Sequence, residues 1–256
     1  LAGGQPAVVE RVQRHVGAVV RLEQFGVRRS AFEFHAAGGD AAMSRPGQRA
    51  GNGPRARYRC VVNYLAHVYL ARHDDEAMLG ALLGDFVGTA DLHRYSATMQ
   101  GEILLHRKID SYTDRHPAVV AARAMFPDGR RRYAGIALDV YFDHLLARAW
   151  PAYSEVALDA FAQRFYATLR AHHALLPERL RQIAPHMVGH DWFGAYRDRD
   201  SVDRAVRRIA TRLSRNGDAL VDCLALLRRH EAAIDARFAA FFPDLQDYVA
   251  TLRKGA

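Results

Sequence analysis

The stretch ILLHRKIDSYTD, residues 103–114, places His106, Asp110 and Asp114 at successive four-residue steps. In an α-helix that spacing stacks the three side chains over one another on one face. Ile103, Leu104, Ile109 and Tyr112 give the same helix enough apolar surface to pack against others, so part of the row is expected to point inward. An imidazole and a carboxylate that turn inward need partners. Three further segments carry the same residue types: NYLAHVYLA holds His67 in an apolar helix, LLGDFVG places Asp85 at the end of another, and ALDVYFDHLLARAW sets Asp139 and Asp143 four apart with His144 adjacent. Each alone reads as a satisfied core or turn residue. Together they ask for neutralising charge, because several carboxylates on hydrophobically packed helices are costly without cations or donors. Metal ions meet that need, and helix bundles build carboxylate and histidine sites from facing helices. Imidazole and carboxylate without thiolate suit Mn, Fe, Mg or Zn, with a lean towards Mn or Mg. His106 and Asp114 lie eight residues apart, roughly 12 Å at ~1.5 Å per residue, so one ion cannot take both. Asp114 is expected to serve a second metal, to support a ligand, or to make a helix-end contact.

The elements that must position these residues are helices. From Val62 onward one amphipathic helix follows another, with breaks expected at 73–75, 88–94, His116-Pro117, 127–129, Trp150-Pro151, Pro177 and Asn216-Gly217. No alternating run reads as a strand. A last long helix is expected from about Asp218 to Phe242, ending before Pro243, with Leu220, Leu224, Leu227, Ile234, Phe238 and Phe241 as its apolar stripe. The expected fold is an all-α, bundle-like single domain. Half of the 256 residues are hydrophobic, enough for a proper core.

Composition bounds the function classes. No run of about eighteen uncharged apolar residues exists, so no membrane span is expected. The start of the chain lacks a secretory pattern, and Cys60 and Cys223 have no zinc or disulfide-framework spacing, so the reading is a cytoplasmic protein without a thiolate metal site. Residues 1–61 carry ten arginines against four acids, a balance of +6 out of the chain's +8. The basicity is therefore an N-terminal matter, and no nucleic-acid partner is expected. Residues 36–60, rich in Gly, Ala and Arg, are expected to be disordered, and PAVVERVQRHVGAVVRLEQF before them reads as one helix-like stretch.

Other motifs carry less. Arg130, Arg131 and Arg132 begin a helix and could clamp a phosphate or meet an acidic partner, against a solvated face as the default. His172 and His173 are adjacent and diverge on a helix; His186 and His190 lack carboxylate support, and Trp192 with Tyr196 reads as core packing. No GxGxxG, P-loop, GxSxG or HExxH is present.

Four ordered blocks, VNYLAHVYLA, LGALLGDFVG, LHRKIDSYTDRHP and RRRYAGIALDVYFDHLLARAW, with WFGAYRDRD and RIATRLSR more loosely, resemble the acyl carrier protein phosphodiesterase family over nearly all of residues 62–256. The resemblance implies an all-α, Mn-dependent enzyme, distantly related to HD-type phosphohydrolases, that removes 4′-phosphopantetheine from holo acyl carrier protein. Carried across by position, it makes Asp85, His106, Asp110 and Asp143 the residues nearest the metal. His67 and Asp139 follow as ligands or as groups that orient one, a carboxylate (Asp143 or Asp139) or His144 is the catalytic group that positions the water or assists proton transfer to the serine oxygen, and Arg107 or Arg130, Arg131 and Arg132 serve the phosphodiester or the acidic carrier. The order departs from HD enzymes: the fourth block reads Asp143-His144, and His106 is followed by Arg107. Family members open Met-Asn-aromatic-Leu-Ala-His where this chain has Val62-Asn63-Tyr64-Leu65-Ala66-His67. A GTG start read as internal would give that valine, so residues 1–61 are expected to be upstream translation or a disordered extension. Two rival readings are a metal phosphohydrolase for a nucleotide or other small phosphodiester, and a helical binding module without catalysis.

Overall fold

The computed structural model describes residues 64–213 and 215–255, and among them it is all helix, with no strand. The expected extension and its helix-like stretch lie outside the described residues. Eleven α-helices follow in order: α1 (Tyr64–Leu70), α2 (Asp75–Leu83), α3 (Ala97–Arg115), α4 (Pro117–Ala124), α5 (Asp128–Arg148), α6 (Leu158–Ala171), α7 (Glu178–Gly189), α8 (Trp192–Ala195), α9 (Arg199–Ala210), α10 (Gly217–Arg229) and α11 (Glu231–Lys254). Single 3₁₀ turns cover Thr89–Arg94, Trp150–Ala152 and His173–Leu175.

The breaks fall where cap and turn chemistry puts them. Asp74 opens α2 by accepting from the Ala77 amide, and Ser96 opens α3 by accepting from Met99. His116 both closes α3 and caps α4, where Pro117 takes a first-turn position that needs no amide donor. Asn216 holds a left-handed φ of 59° ahead of α10.

α5 is the axis of the fold. Every residue from Tyr133 to Ala147 is buried, which requires neighbours on all sides of the helix. α1, α4, α9, α10 and α11 supply them. α2 lies against α3, α1 and α6. The close α2–α3 approach depends on Gly80, where a Cβ would meet the Met99 backbone at 2.8 Å.

The last helix departs from expectation. The stretch from 218 is two helices, because His230 takes φ −109° and ψ 13° and its N–H closes α10 on the Leu226 carbonyl. α11 then runs through Pro243 to Lys254. The proline forfeits one amide bond, but Phe241, Phe242, Leu245 and Val249 are buried on both sides of it, and that burial holds the segment helical.

Candidate metal centre

The row on α3 begins one step earlier than its most conspicuous members, at Glu102, and each member meets a partner of a different kind. Glu102 takes Arg253 of α11 in a forked ion pair, at 2.7 and 2.8 Å from Nη2 and 3.2 Å from Nε. Asp114, at the other end, takes Arg123 of α4 at 3.1 Å. Asp114 thus makes the helix-end contact among the roles open to it. Between these two ion pairs stand His106 and Asp110, and there other histidine and carboxylate groups converge.

His106 is buried, and its Nδ1–H donates to the Ala81 carbonyl at the end of α2, 2.8 Å away. That bond fixes the ring and leaves Nε2 facing two carboxylates, Asp85 Oδ1 at 3.4 Å and Asp110 Oδ2 at 3.6 Å. The other oxygen of Asp110 lies 3.4 Å from Nε2 of His67 on α1. The two imidazoles stack with centroids 3.8 Å apart and planes 18° from parallel. One donor atom each from His67, His106 and Asp110 fits within a mutual separation of 4.8 Å. α1, α3 and the turn after α2 therefore bring four of the expected residues, His67, Asp85, His106 and Asp110, to one place.

Electrostatics separate the two rings. Burial disfavours charge on His106, but Asp110 and Asp85 outweigh it and raise its pKa to about 9. Burial and the neighbouring His106 cation lower the pKa of His67, against the pull of Asp110 and Asp85. Of the two stacked rings, His106 is therefore the one that favours the charged form. Among the described residues neither Nδ1 nor Nε2 of His67 makes an aligned hydrogen bond, although both are buried, and Nε2 has only the 3.4 Å approach of Asp110. A buried imidazole with two unbonded nitrogens is costly. A divalent cation held by His67, His106 and Asp110, with Asp85 at its side, fits this donor set and resolves that cost.

The Asp143 group is placed differently. Asp143 is fully buried, and its two oxygens accept from the amides of Leu65 and Ala66 in the first turn of α1, both at 3.0 Å. Burial raises its pKa to about 8 against the effect of those amides and of the Tyr196 hydroxyl. His144 donates from Nδ1 to the Tyr196 carbonyl at 2.7 Å, and burial lowers its pKa. Asp139 is buried one turn earlier on α5. Asp143 thus holds the start of the helix that carries His67.

The arginines divide as well. Arg107 donates to the Val87 carbonyl at 2.9 Å and to Thr89 Oγ1 at 3.1 Å, which ties down the loop that follows Asp85. Arg130 pairs with Asp222 of α10, Arg131 with Asp128 and the Phe126 carbonyl, and Arg132 covers the Tyr133 ring. The last of these arginines is eleven residues from Asp143 along α5, about 16 Å at ~1.5 Å per residue.

Two residues were not singled out by sequence reasoning. Glu102 carried a signal, since it continues the four-residue step of the row. Gly84 carried only its place beside Asp85. A Cβ there would sit 2.3 Å from Cγ of His106, inside the ring, so only glycine lets the imidazole reach the end of α2.

Comparison with known proteins bears on this arrangement. The family model for acyl carrier protein phosphodiesterase matches residues 62–245. The chain belongs to the acyl carrier protein phosphodiesterase family. Proteins of that name from Photorhabdus laumondii, Serratia proteamaculans and Salmonella agona are 33%, 32% and 34% identical to it over 190, 185 and 190 residues. Those alignments cover 73%, 72% and 74% of this chain and 94%, 95% and 98% of the relatives. All four converging residues lie within the stretch matched by the phosphodiesterase family. No solved structure matches the chain, and the expected relation to HD-type phosphohydrolases is not confirmed. Among the described residues no helix is long and apolar enough to cross a membrane.

Proposed function

We propose that the chain is a divalent-metal-dependent hydrolase of holo acyl carrier protein. Water attacks phosphorus, the bond from phosphorus to the carrier's serine oxygen breaks, and that oxygen leaves with a proton, giving apo carrier and 4′-phosphopantetheine. The relatives' names support the substrate. The observation that carries the metal is His67, buried with both nitrogens unbonded beside His106 and Asp110.

His67, His106 and Asp110 hold the ion, with Mn²⁺ the cation we favour, and Asp85 completes or flanks the set. The ion supplies neutralisation of charge on the phosphoryl oxygens and makes water acidic enough to react near neutral pH. The chain's own residues do the rest. The Ala81 carbonyl keeps the His106 proton on Nδ1, so that Nε2 faces the site. Asp85, only partly buried, stands where an oxygen can accept the proton of attacking water or pass one outward. Arg107 holds the loop behind Asp85, and its guanidinium is the one we assign to the phosphodiester. Arg130, Arg131 and Arg132 lie farther along α5, where they meet the acidic body of the carrier rather than the reacting group.

The test is the intact mass of purified holo acyl carrier protein after incubation with the full chain, with Mn²⁺ and after chelation. Metal-dependent loss of the phosphopantetheine mass is expected. An unchanged carrier beside a folded, metal-loaded protein would contradict the substrate, and turnover of a small phosphodiester in the same preparation would replace it.

A further inference from the structure

The centre joins α1 to α3, and α1 is the weaker support. Its seven residues make about two turns, too few to persist without outside contacts. Asp143 holds its first turn. Its last turn is held from the opposite end of the chain. Arg253, in the final turn of α11, donates from Nη1 to the Leu70 carbonyl at 2.7 Å. The same guanidinium forks onto Glu102, which is 8% exposed and lies one turn before His106 on α3. A cation is favourable at the carbonyl end of a helix, and the forked pair fixes its direction as well as its charge. Gly80 lets α2 pack closely against the base of the Glu102 side chain, where a Cβ would meet Glu102 Cβ at 3.0 Å. Arg253 lies beyond residue 245, where the family match ends.

We propose that Arg253 is a positioning residue for the metal centre: by joining the Leu70 carbonyl to Glu102 it fixes the height of α1 along α3 and sets His67 against His106 and Asp110. The inference rests on the metal reading above. His67 is one turn from Leu70 and His106 one turn from Glu102, so a slip at the clamp is transmitted to the ring pair with little loss. Lysine carries the charge but cannot hold the carbonyl and both carboxylate oxygens in one plane.

The test compares Mn²⁺ affinity and the visible spectrum of the Co²⁺-loaded full chain for wild type, Arg253→Ala, Arg253→Lys, Glu102→Gln and Ile234→Ala. Ile234 is buried in the first turn of α11, nineteen residues and about 28 Å from Arg253 at ~1.5 Å per residue, so its truncation lowers stability away from the clamp. Arg253→Ala is expected to lose at least tenfold in Mn²⁺ affinity and to alter the Co²⁺ spectrum, Arg253→Lys to recover part of both, and Ile234→Ala to stay within twofold of wild type. Equal behaviour of Arg253→Ala and Ile234→Ala would overturn the proposal. If Arg253→Ala does not fold, Glu102→Gln and Arg253→Lys carry the same comparison. Should wild type bind no Mn²⁺, the metal reading fails, and the clamp is judged on the His67 ring signals in NMR. Their displacement in Arg253→Lys upholds it and their constancy overturns it.

Discussion

Two regions of this protein carry histidine and aspartate at helical spacing in hydrophobic helices, and they do opposite things with them. On α3, His106 and Asp110 face His67 and Asp85, and two imidazoles are stacked beside carboxylates, with both nitrogens of His67 unbonded. On α5, Asp143 gives both oxygens to amides of α1, and His144 is spoken for by the Tyr196 carbonyl. The residue types are the same, while the neighbours differ. Backbone donors and acceptors satisfy Asp143 and His144; in the first group the Ala81 carbonyl takes the His106 Nδ1–H, but His67 has only other side chains to answer it, and that leaves a need a cation can meet.

The contrast is broken most sharply by paired substitutions. His106→Ala is expected to lower Mn²⁺ affinity by at least a hundredfold and to abolish turnover, read by equilibrium dialysis and carrier mass. His144→Ala should keep metal affinity within a few fold while costing about 1–3 kcal/mol of stability, from the orphaned Tyr196 carbonyl and a cavity. Similar losses of metal in both variants would erase the distinction. Next comes Gly84→Ala, which drives a methyl into the His106 ring; a loss of about 1–3 kcal/mol in denaturant unfolding should accompany a fall of tenfold or more in metal affinity.

Asp143→Asn should lie between these extremes. Its amide nitrogen would face a backbone N–H, so stability should fall by about 1–3 kcal/mol, and metal affinity should fall less than in Gly84→Ala because the effect passes through α1. pH sharpens the same point. The His106 pKa is raised from 6.5 to about 9 in the folded, metal-free protein. The stability this gives is fully present below pH 6.5 and is lost as pH rises through about 9. Asp143, raised to about 8, adds loss in the same direction over the lower part of that window. The metal-free midpoint in urea should therefore decline between pH 6.5 and 9, and bound Mn²⁺, which displaces the His106 proton, should flatten the decline. A midpoint that climbs over that range would contradict the electrostatic account. The smallest effect is assigned to Arg130→Ala, whose exposed pair with Asp222 contributes less than about 1 kcal/mol.

Much of this was legible in the chain. The breaks at Asp74, His116-Pro117 and Asn216-Gly217 follow from caps and turn formers, and the four-residue step of His106 and Asp110 marked the face of α3 on which imidazoles and carboxylates converge. His67 and Asp85 were visible as residues whose burial needed an explanation. What spacing could not show is which partner each would find. Asp143 and Asp110 look alike in sequence, and only the approach of the α1 amides to one and of a second imidazole to the other separates their roles. The Glu102–Arg253 pair joins residues 151 positions apart, beyond any local pattern. The passage of α11 through Pro243 is likewise tertiary, since packing on both sides overrides a local helix stop.

The central claim is that the two imidazoles of α1 and α3, His67 and His106, would both ligate one divalent ion beside Asp110. Electron spin-echo envelope modulation of the Mn²⁺-loaded full chain tests it directly. The account predicts nitrogen coupling from two histidine rings, reduced to one in His67→Ala and in His106→Ala and unchanged in His144→Ala. Nitrogen coupling that survives both of the first two substitutions intact, or that disappears with His144→Ala, would place the metal elsewhere and contradict the account.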